Sequence, residues 1–202
     1  MLKRNLISIA LVGCVFGAPM SDAMFQTQFA SVSAEEVKTK RVPALRNKVY
    51  TQLARAQKLA DDGDVAAGLE ALDIVQKKSS SMNSYEVAMM YNFYGFIYYG
   101  NDDIGSAIEH FEKVVAEQAI PASLRKSTLY SLAQLHMQQE DYAKTLLALA
   151  KWKKVNNKAL TSAQNVLFDQ VHYQLKNYQD SVAYVNKAVE KSELAKEAPK
   201  EN

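Results

Sequence analysis

The side chains of this 202-residue chain that could carry chemistry are three histidines, one cysteine and two short acidic runs. His136 and His172 stand 36 positions apart, and two imidazoles could bind a metal ion or titrate near neutral pH. No third residue is spaced to complete a metal site, so the favoured interpretation is helix packing with a hydrogen bond to a neighbour. His110, next to Glu109, is expected to be exposed. A metal-handling protein or enzyme using His136 and His172 is the alternative.

The acidic runs at 61–64 and 101–103 resemble calcium-binding loops only superficially. Neither is followed by a glutamate at the spacing that an EF-hand requires, so we interpret them as turns whose acids cap the next helix. The chain also lacks a Gly-rich phosphate loop, a G-x-S-x-G elbow, an H-E-x-x-H motif and a cysteine pair for zinc. The sequence therefore predicts no catalytic residue, no metal site and no cofactor.

A repeated pattern of aromatic and small residues predicts the helices that position these side chains. Its clearest copy places four packing residues on one helix and two on the next: Tyr91, Tyr94, Gly95 and Tyr98, then Ala107 and Phe111. Gly95 and Ala107 let two antiparallel helices approach closely, while the rings fill the space on either side. This is the tetratricopeptide pattern, which builds a binding surface. Gly95→Leu is expected to cost about 1–3 kcal/mol by overpacking.

The turn inside each helix pair carries an acid or an amide at a steady stride. These residues are Asp64, Asp103, Asp141 and Asn177, separated by 39, 38 and 36 positions. The bare repeat has about 34 residues, so extra residues lie between the units. Leu132 and Ala133 repeat the packing pair in the third unit. The fourth is the weakest match, because Asp169 occupies the place of the small residue.

Local signals predict eight helices, at roughly 44–62, 65–78, 84–100, 104–117, 122–139, 142–156, 160–175 and 178–196. Asn83 and Glu86 form a capping box, and Pro43 and Pro121 suit helix starts, where a missing N–H costs nothing. The predicted fold is all-α, a right-handed α-solenoid of about four tetratricopeptide-like helix pairs.

The pattern of the first 23 residues predicts that the protein is exported. Lys3 and Arg4 precede an apolar run at 6–16 and then small residues, which is the form of a cleaved signal spanning 1–23. The run is shorter than the ~20 residues of a spanning helix, so no transmembrane anchor is expected in the mature chain. A flexible leader at 24–42, a repeat domain at 43–191 and a charged tail at 192–202 follow. Alternatively, the lipobox-like stretch ending at Cys14 would give a lipoprotein instead of the favoured soluble periplasmic form.

Charge and cysteine content narrow the class of function further. The predicted mature chain has 22 basic and 21 acidic residues and no cysteine, so it has no disulfide and is unaffected by an oxidising compartment. Nothing in it resembles a nucleic-acid footprint, which needs a basic stripe or a domain-wide excess of positive charge.

A partner-binding groove is expected on the concave surface formed by the first helix of each pair. Its predicted residues are Met89, Asn92, Phe96, Tyr99, Tyr130, Gln134, Met137, Gln138, Gln170 and Tyr173. This set is neutral, with aromatic, amide and thioether groups. It lacks the basic cluster that clamps a terminal carboxylate, so it suits an extended peptide held by amides and rings.

One long stretch narrows the resemblance beyond a generic repeat. Residues 82–99, with 119–121, 128–135 and 139–142, resemble the tetratricopeptide proteins that accompany TonB-type systems in marine gammaproteobacteria. The resemblance spans roughly 43–190 and implies an exported adaptor in iron uptake, with TonB, ExbB or ExbD components as partners. Another envelope scaffold, in outer-membrane assembly or cell division, is the alternative. The array is shorter than is usual for that family, which implies either fewer partners or pairing with another copy through its open end.

Overall fold

The structure is a computed structural model that describes residues 43–197. This part of the chain contains eight α-helices and no strand, which confirms the all-α prediction. The helices are Asn47–Asp61 (α1), Val65–Gln76 (α2), Ser84–Gly100 (α3), Ile104–Ala116 (α4), Ala122–Gln138 (α5), Tyr142–Val155 (α6), Ser162–Gln174 (α7) and Tyr178–Glu197 (α8), with a 3₁₀ turn at Ser79–Ser81. Their ends differ from the predicted ends by three residues at most.

Several sequence-based predictions fall on other parts of the chain. The export signal at 1–23, the candidate lipidation site Cys14 and the leader at 24–42 lie outside the described residues. The predicted domain boundary at 191 falls inside α8, which continues without a break to Glu197.

The helices pack as four consecutive hairpins: α1 with α2, α3 with α4, α5 with α6, and α7 with α8. Each hairpin also contacts the next, because the second helix of one pair lies against the first helix of the following pair. Since consecutive pairs stack on one another along the chain, the architecture is a solenoid of four helix pairs, as the stride of the turns predicts.

The same turn joins the helices of every pair. One residue has left-handed backbone geometry in each turn: Gly63, Asp102, Glu140 and Lys176, with φ of 99°, 59°, 58° and 61°. The next residue donates its N–H to the carbonyl oxygen five positions earlier, over 2.8–3.0 Å. In the first three turns its carboxylate also accepts the N–H of the residue three positions later. The acids are therefore helix caps, as predicted.

Close approach of paired helices is visible at Gly95, as predicted. A Cβ atom placed there would lie 2.6 Å from the ring of Phe111, which is 1% exposed. In the fourth pair, Asp169 takes the equivalent place and accepts a hydrogen bond from Ser181, which occupies the place of Ala107. A polar contact thus replaces the small-residue contact, and the register of the fourth unit is preserved.

A buried carboxylate joins the start of α1 to the start of α3. Glu86 is 0% exposed and accepts the Arg46 guanidinium at 2.6 and 2.7 Å, the Arg46 backbone N–H at 3.1 Å and the Asn83 backbone N–H at 3.0 Å. The hydrogen bond from Arg46 holds the pKa of the Glu86 carboxyl below its usual value. Asn83 caps the amide of Glu86 in return, so the predicted capping box is confirmed.

This contact also explains why one predicted helix start is wrong. Pro43 does not begin a helix: α1 starts at Asn47, after an extended Arg46 whose N–H is engaged by Glu86 from 40 positions away. Pro121, in contrast, directly precedes α5 as its N-cap residue, in agreement with the prediction.

We expect Gly95→Ala to lower the free energy of unfolding by about 1–3 kcal/mol, because the added methyl group overlaps the fixed ring of Phe111. Gly100→Ala is a matched control on the same helix: a Cβ atom there meets nothing within 4 Å, so helix propensity should leave stability equal or raise it by up to ~1 kcal/mol. Urea denaturation followed by circular dichroism measures both. Equal stability for Gly95→Ala and wild type would contradict the close helix contact.

We expect Glu86→Gln to lower the free energy of unfolding at pH 7, because a neutral amide loses the ion pair with Arg46. The loss should be on the order of 1 kcal/mol, since the half-exposed Arg46 side chain can be rehydrated. A carboxyl pKa that is lower in the folded state stabilises the fold above its unfolded-state pKa, and this contribution is lost as pH falls through the folded-state pKa. The gap between wild type and variant should therefore narrow below about pH 4.5. Exposed Glu70→Gln is the control, and a pH-independent gap would contradict the argument.

Candidate partner-binding groove

The predicted groove residues lie on α3, α5 and α7, the first helices of the second, third and fourth pairs. Stacked helix pairs turn their first helices toward the concave surface. Three residues of the set are exposed: Gln138, Gln170 and Tyr173. Six are half-buried: Met89, Asn92, Phe96, Tyr99, Tyr130 and Met137. The part of this surface most open to a partner is therefore on α7 and at the end of α5.

Two groove rings are held by the second helices behind them. Phe96 on α3 meets Phe111 on α4 edge to face, with ring centroids 5.3 Å apart. Tyr130 on α5 lies 5.1 Å from Trp152 on α6, which is 3% exposed. Because a buried ring supports each of them, both present a pre-positioned apolar surface, which lowers the entropy cost of binding. Partner binding by these residues stays a prediction.

The exposure of Gln134 and Val166 differs from the sequence-based prediction of the groove. Gln134 is only 7% exposed, so its amide offers a partner little surface. Val166 on α7 is 37% exposed and stands where Asn92 and Tyr130 stand in the two preceding units, yet it is absent from the predicted set. The stride of 38 and then 36 residues would have located it.

His136 and His172, the two candidate metal ligands of the alternative hypothesis, are packing residues. His136 is 6% exposed, with its Nε2 atom 3.9 Å from the Glu112 carboxylate, and burial lowers the pKa of its imidazole. His172 is 9% exposed and stacks on Tyr184 at 5.5 Å. The hydrogen bond expected at each of them is found at neither: the 3.9 Å contact of His136 is too long, and the buried Nδ1 atom of His172, 3.6 Å from the Asp180 carboxylate, has no hydrogen-bond partner. Within residues 43–197, no group of three His, Cys, Asp or Glu side chains could hold a metal ion.

His110 is half-buried, so the expectation that it is exposed is wrong. Its Nδ1 atom lies 2.8 Å from the Ser106 carbonyl oxygen, and its ring lies 4.9 Å from Tyr94 and 5.1 Å from Tyr98. Burial lowers the pKa of its imidazole. The large tyrosine rings of α3 extend across the helix pair and cover a position beside Phe111, an arrangement that the spacing of His110 alone does not reveal.

A second depression lies outside the predicted groove, among α4, α5 and α6. It has a volume of about 420 Å³ and an apolar floor that includes Leu129 and Leu132. Lys144 and Lys151 stand among its lining residues. This depression was not predicted from the sequence. Leu147, which stands between the two lysines in the sequence, lies at its edge and is 56% exposed.

Residues 100–188 match the model of the family described as anaphase-promoting complex, cyclosome, subunit 3. The matched segment runs from the end of α3 into α8. No curated protein sequence gives a significant match to the chain.

Solved structures resemble the chain in fold at low sequence identity. A crystal structure of MamA aligns with a TM-score of 0.54 and 20% sequence identity. The alignment covers 74% of this chain and 81% of the MamA chain. Nearly identical TPR-like repeats of a kinesin light chain candidate from Podosopora anserina have a TM-score of 0.56 and 18% identity, covering 77% and 79%. A variant form of those repeats has a TM-score of 0.58 and 18% identity, covering 79% and 81%.

The stride of the turns, the small residues between paired helices and these likenesses agree with one another. Within the described residues, no helix is both long and apolar enough to cross a membrane. Repeat solenoids present an extended concave surface that is used for binding. Together the stride, the small residues and the likenesses show that the chain has a tetratricopeptide-like repeat fold.

Proposed function

We propose that this chain is a non-catalytic adaptor that holds an extended peptide segment of a partner protein in the groove along α3, α5 and α7. The observation that supports this most directly is the neutral set of exposed or half-buried amides and rings, of which Gln138, Gln170 and Tyr173 are the exposed members. Amide side chains can hydrogen-bond an extended backbone, while rings and thioethers accept alternate apolar side chains.

The uncharged groove restricts the kind of peptide that fits. Its ten predicted residues include no lysine, arginine or histidine, so a terminal carboxylate would find no charge-assisted hydrogen bond there. An internal segment with apolar side chains is the better ligand. Phe96 and Tyr130 are already fixed against buried rings and can receive such side chains with little loss of rotamer freedom.

We further propose that the partner belongs to a TonB-type energy-transducing system in the periplasm. Two observations support this: the basic and then apolar start of the chain, which has the form of an export signal, and the resemblance of residues 82–99 to TonB-associated repeat proteins. TonB, ExbB or ExbD components are the expected contacts. An envelope scaffold in outer-membrane assembly or cell division is the competing function.

A photo-crosslinking experiment in cells tests this proposal. A photoreactive phenylalanine analogue replaces Tyr173, Tyr99 or Gln138 in the groove, or exposed Leu147 and Ile74 on second helices as matched controls. We expect specific adducts from the groove positions in the periplasmic fraction, with a TonB-system component identified by mass spectrometry. The mature N-terminus is read from the same sample, and Met24 is expected.

Each result bears on a separate part of the proposal. Adducts at the groove positions with assembly or division proteins alone would remove the TonB assignment and leave the adaptor function. Equal adducts from groove and control positions would contradict the groove itself. A lipid-modified Cys14 at the N-terminus would contradict the soluble form.

A further inference from the structure

The depression among α4, α5 and α6 lies at a place that stacked rings fill in the helix pair before it. Its lining includes Leu132 on α5 and Ala148 on α6, which stand nine residues before and seven residues after the turn acid of their pair. In the second pair these two places hold Tyr94 and His110. Their rings stack with centroids 4.9 Å apart.

The pair after the depression fills the same place in the same way. Phe168 on α7 stands nine residues before the turn residue Asn177, and Tyr184 on α8 stands seven residues after it. Their rings stack with centroids 4.7 Å apart. The third pair has a leucine and an alanine instead, so the depression is the space that two stacked rings occupy in the pairs on either side.

A lysine accompanies these rings in both neighbouring pairs. Lys113, Lys151 and Lys187 each stand ten residues after the turn residue of their pair. The Nζ atom of Lys113 lies 5.4 Å from the ring centroid of Tyr91, and that of Lys187 lies 5.5 Å from the ring centroid of Tyr184. Lys151 lines the depression. Because an ammonium group is attracted to the face of an aromatic ring, the third pair keeps the cation that suits a ring.

A carboxylate of α4 indicates which ring suits the site. In the second pair, the hydroxyl group of Tyr94 donates a hydrogen bond to the carboxylate of Asp73 on the preceding second helix, α2. Asp73 stands nine residues after the turn acid of its pair, as Glu112 does on α4. Glu112 lines the depression, and its side chain is 57% exposed. Its carboxylate can therefore accept a hydrogen bond from a phenol.

We propose that this depression is a docking site for a tyrosine side chain of a partner protein. The ring lies on Leu132 and Ala148 beneath Lys151, and its hydroxyl group donates a hydrogen bond to Glu112. The volume of about 420 Å³ is within the range of ligand sites. One edge is open, and Leu147 is exposed there. A ring carried by a protein chain suits this shape, because the chain beyond the ring covers Leu147.

This site goes beyond the adaptor function and does not depend on it. None of the ten predicted groove residues lines the depression. A partner that enters both sites is held by two contacts, and the second contact forms at a high effective concentration.

An NMR titration of the isotope-labelled chain with p-cresol, which is a tyrosine side chain without its backbone, tests the site. We expect the amide signals of Leu129, Ala148 and Lys151 to shift together, with a Kd of about 10 mM or lower. Glu112→Ala should weaken p-cresol binding ~5-fold, because one hydrogen bond is lost, and it should leave the binding of toluene unchanged. Glu109→Ala is the matched control, since Glu109 is exposed on the same helix and pairs with a lysine outside the depression.

A variant that fills the depression gives an independent test. Ala148→Tyr supplies the ring that the fourth pair has at this place, so p-cresol binding should be lost. Ala143→Tyr, at an exposed position of the same helix, should bind p-cresol as wild type does. Circular dichroism checks that each variant is folded. Amide shifts confined to residues outside the depression, or equal weakening by Glu112→Ala and Glu109→Ala, would overturn the site.

Photo-crosslinking from Leu147 in cells tests whether a protein supplies the ring. We expect an adduct whose linked peptide has a tyrosine beside the crosslink, and Ala148→Tyr should abolish it. Ile74 lies outside both surfaces and should give no adduct. Adducts from Tyr173 in the groove should not respond to Ala148→Tyr, so failure of one proposal leaves the other in place. Binding of p-cresol without a protein adduct at Leu147 would overturn the assignment to a partner protein.

Discussion

The close contact between the two helices of each pair is the constraint on which the rest of the structure depends. At Gly95 the helix backbone lies so near the ring of Phe111 that a Cβ atom would be 2.6 Å away. This short separation lets Tyr94, Tyr98 and the half-buried His110 stack across the same interface. It also leaves the opposite side of α3 free of its partner helix. The predicted groove surface thus lies on the side of α3 that faces away from this close contact with α4.

The four pairs meet this constraint with different chemistry. In the first pair, Gly68 approaches the Ala56 carbonyl oxygen so closely that a Cβ atom there would lie 2.8 Å from it. In the fourth, the hydrogen bond between Ser181 and Asp169 replaces the small-residue contact. The turns hold the pairs in register even where glycine is absent. Glu140, for example, adopts a left-handed conformation that costs an L-residue roughly 1–2 kcal/mol, and the cap made by the adjacent Asp141 offsets part of it.

The parts of the fold that sequence predicts well are those whose causes are local. Capping residues and turn acids act within four residues, so the helix ends and the four-pair stride were accessible from the sequence alone. The failures involve distant partners. Pro43 does not start α1, because Glu86, far along the chain, holds Arg46 extended. Groove exposure was equally inaccessible: Gln134 is on the expected helix, yet tertiary packing leaves it 7% exposed.

The last member of the predicted groove lies where α7 meets α8. Tyr173 is 60% exposed there, and its ring meets that of Tyr178 edge to face at 5.7 Å. Its equivalents in the two preceding pairs, Tyr99 and Met137, are half-buried. Phe96 and Tyr130 are supported by buried rings, whereas Tyr173 is supported by Tyr178, which is 55% exposed. A peptide that reaches α7 would therefore remove more rotamer freedom from Tyr173 than from the two supported rings, and it would gain less affinity there for the same contact.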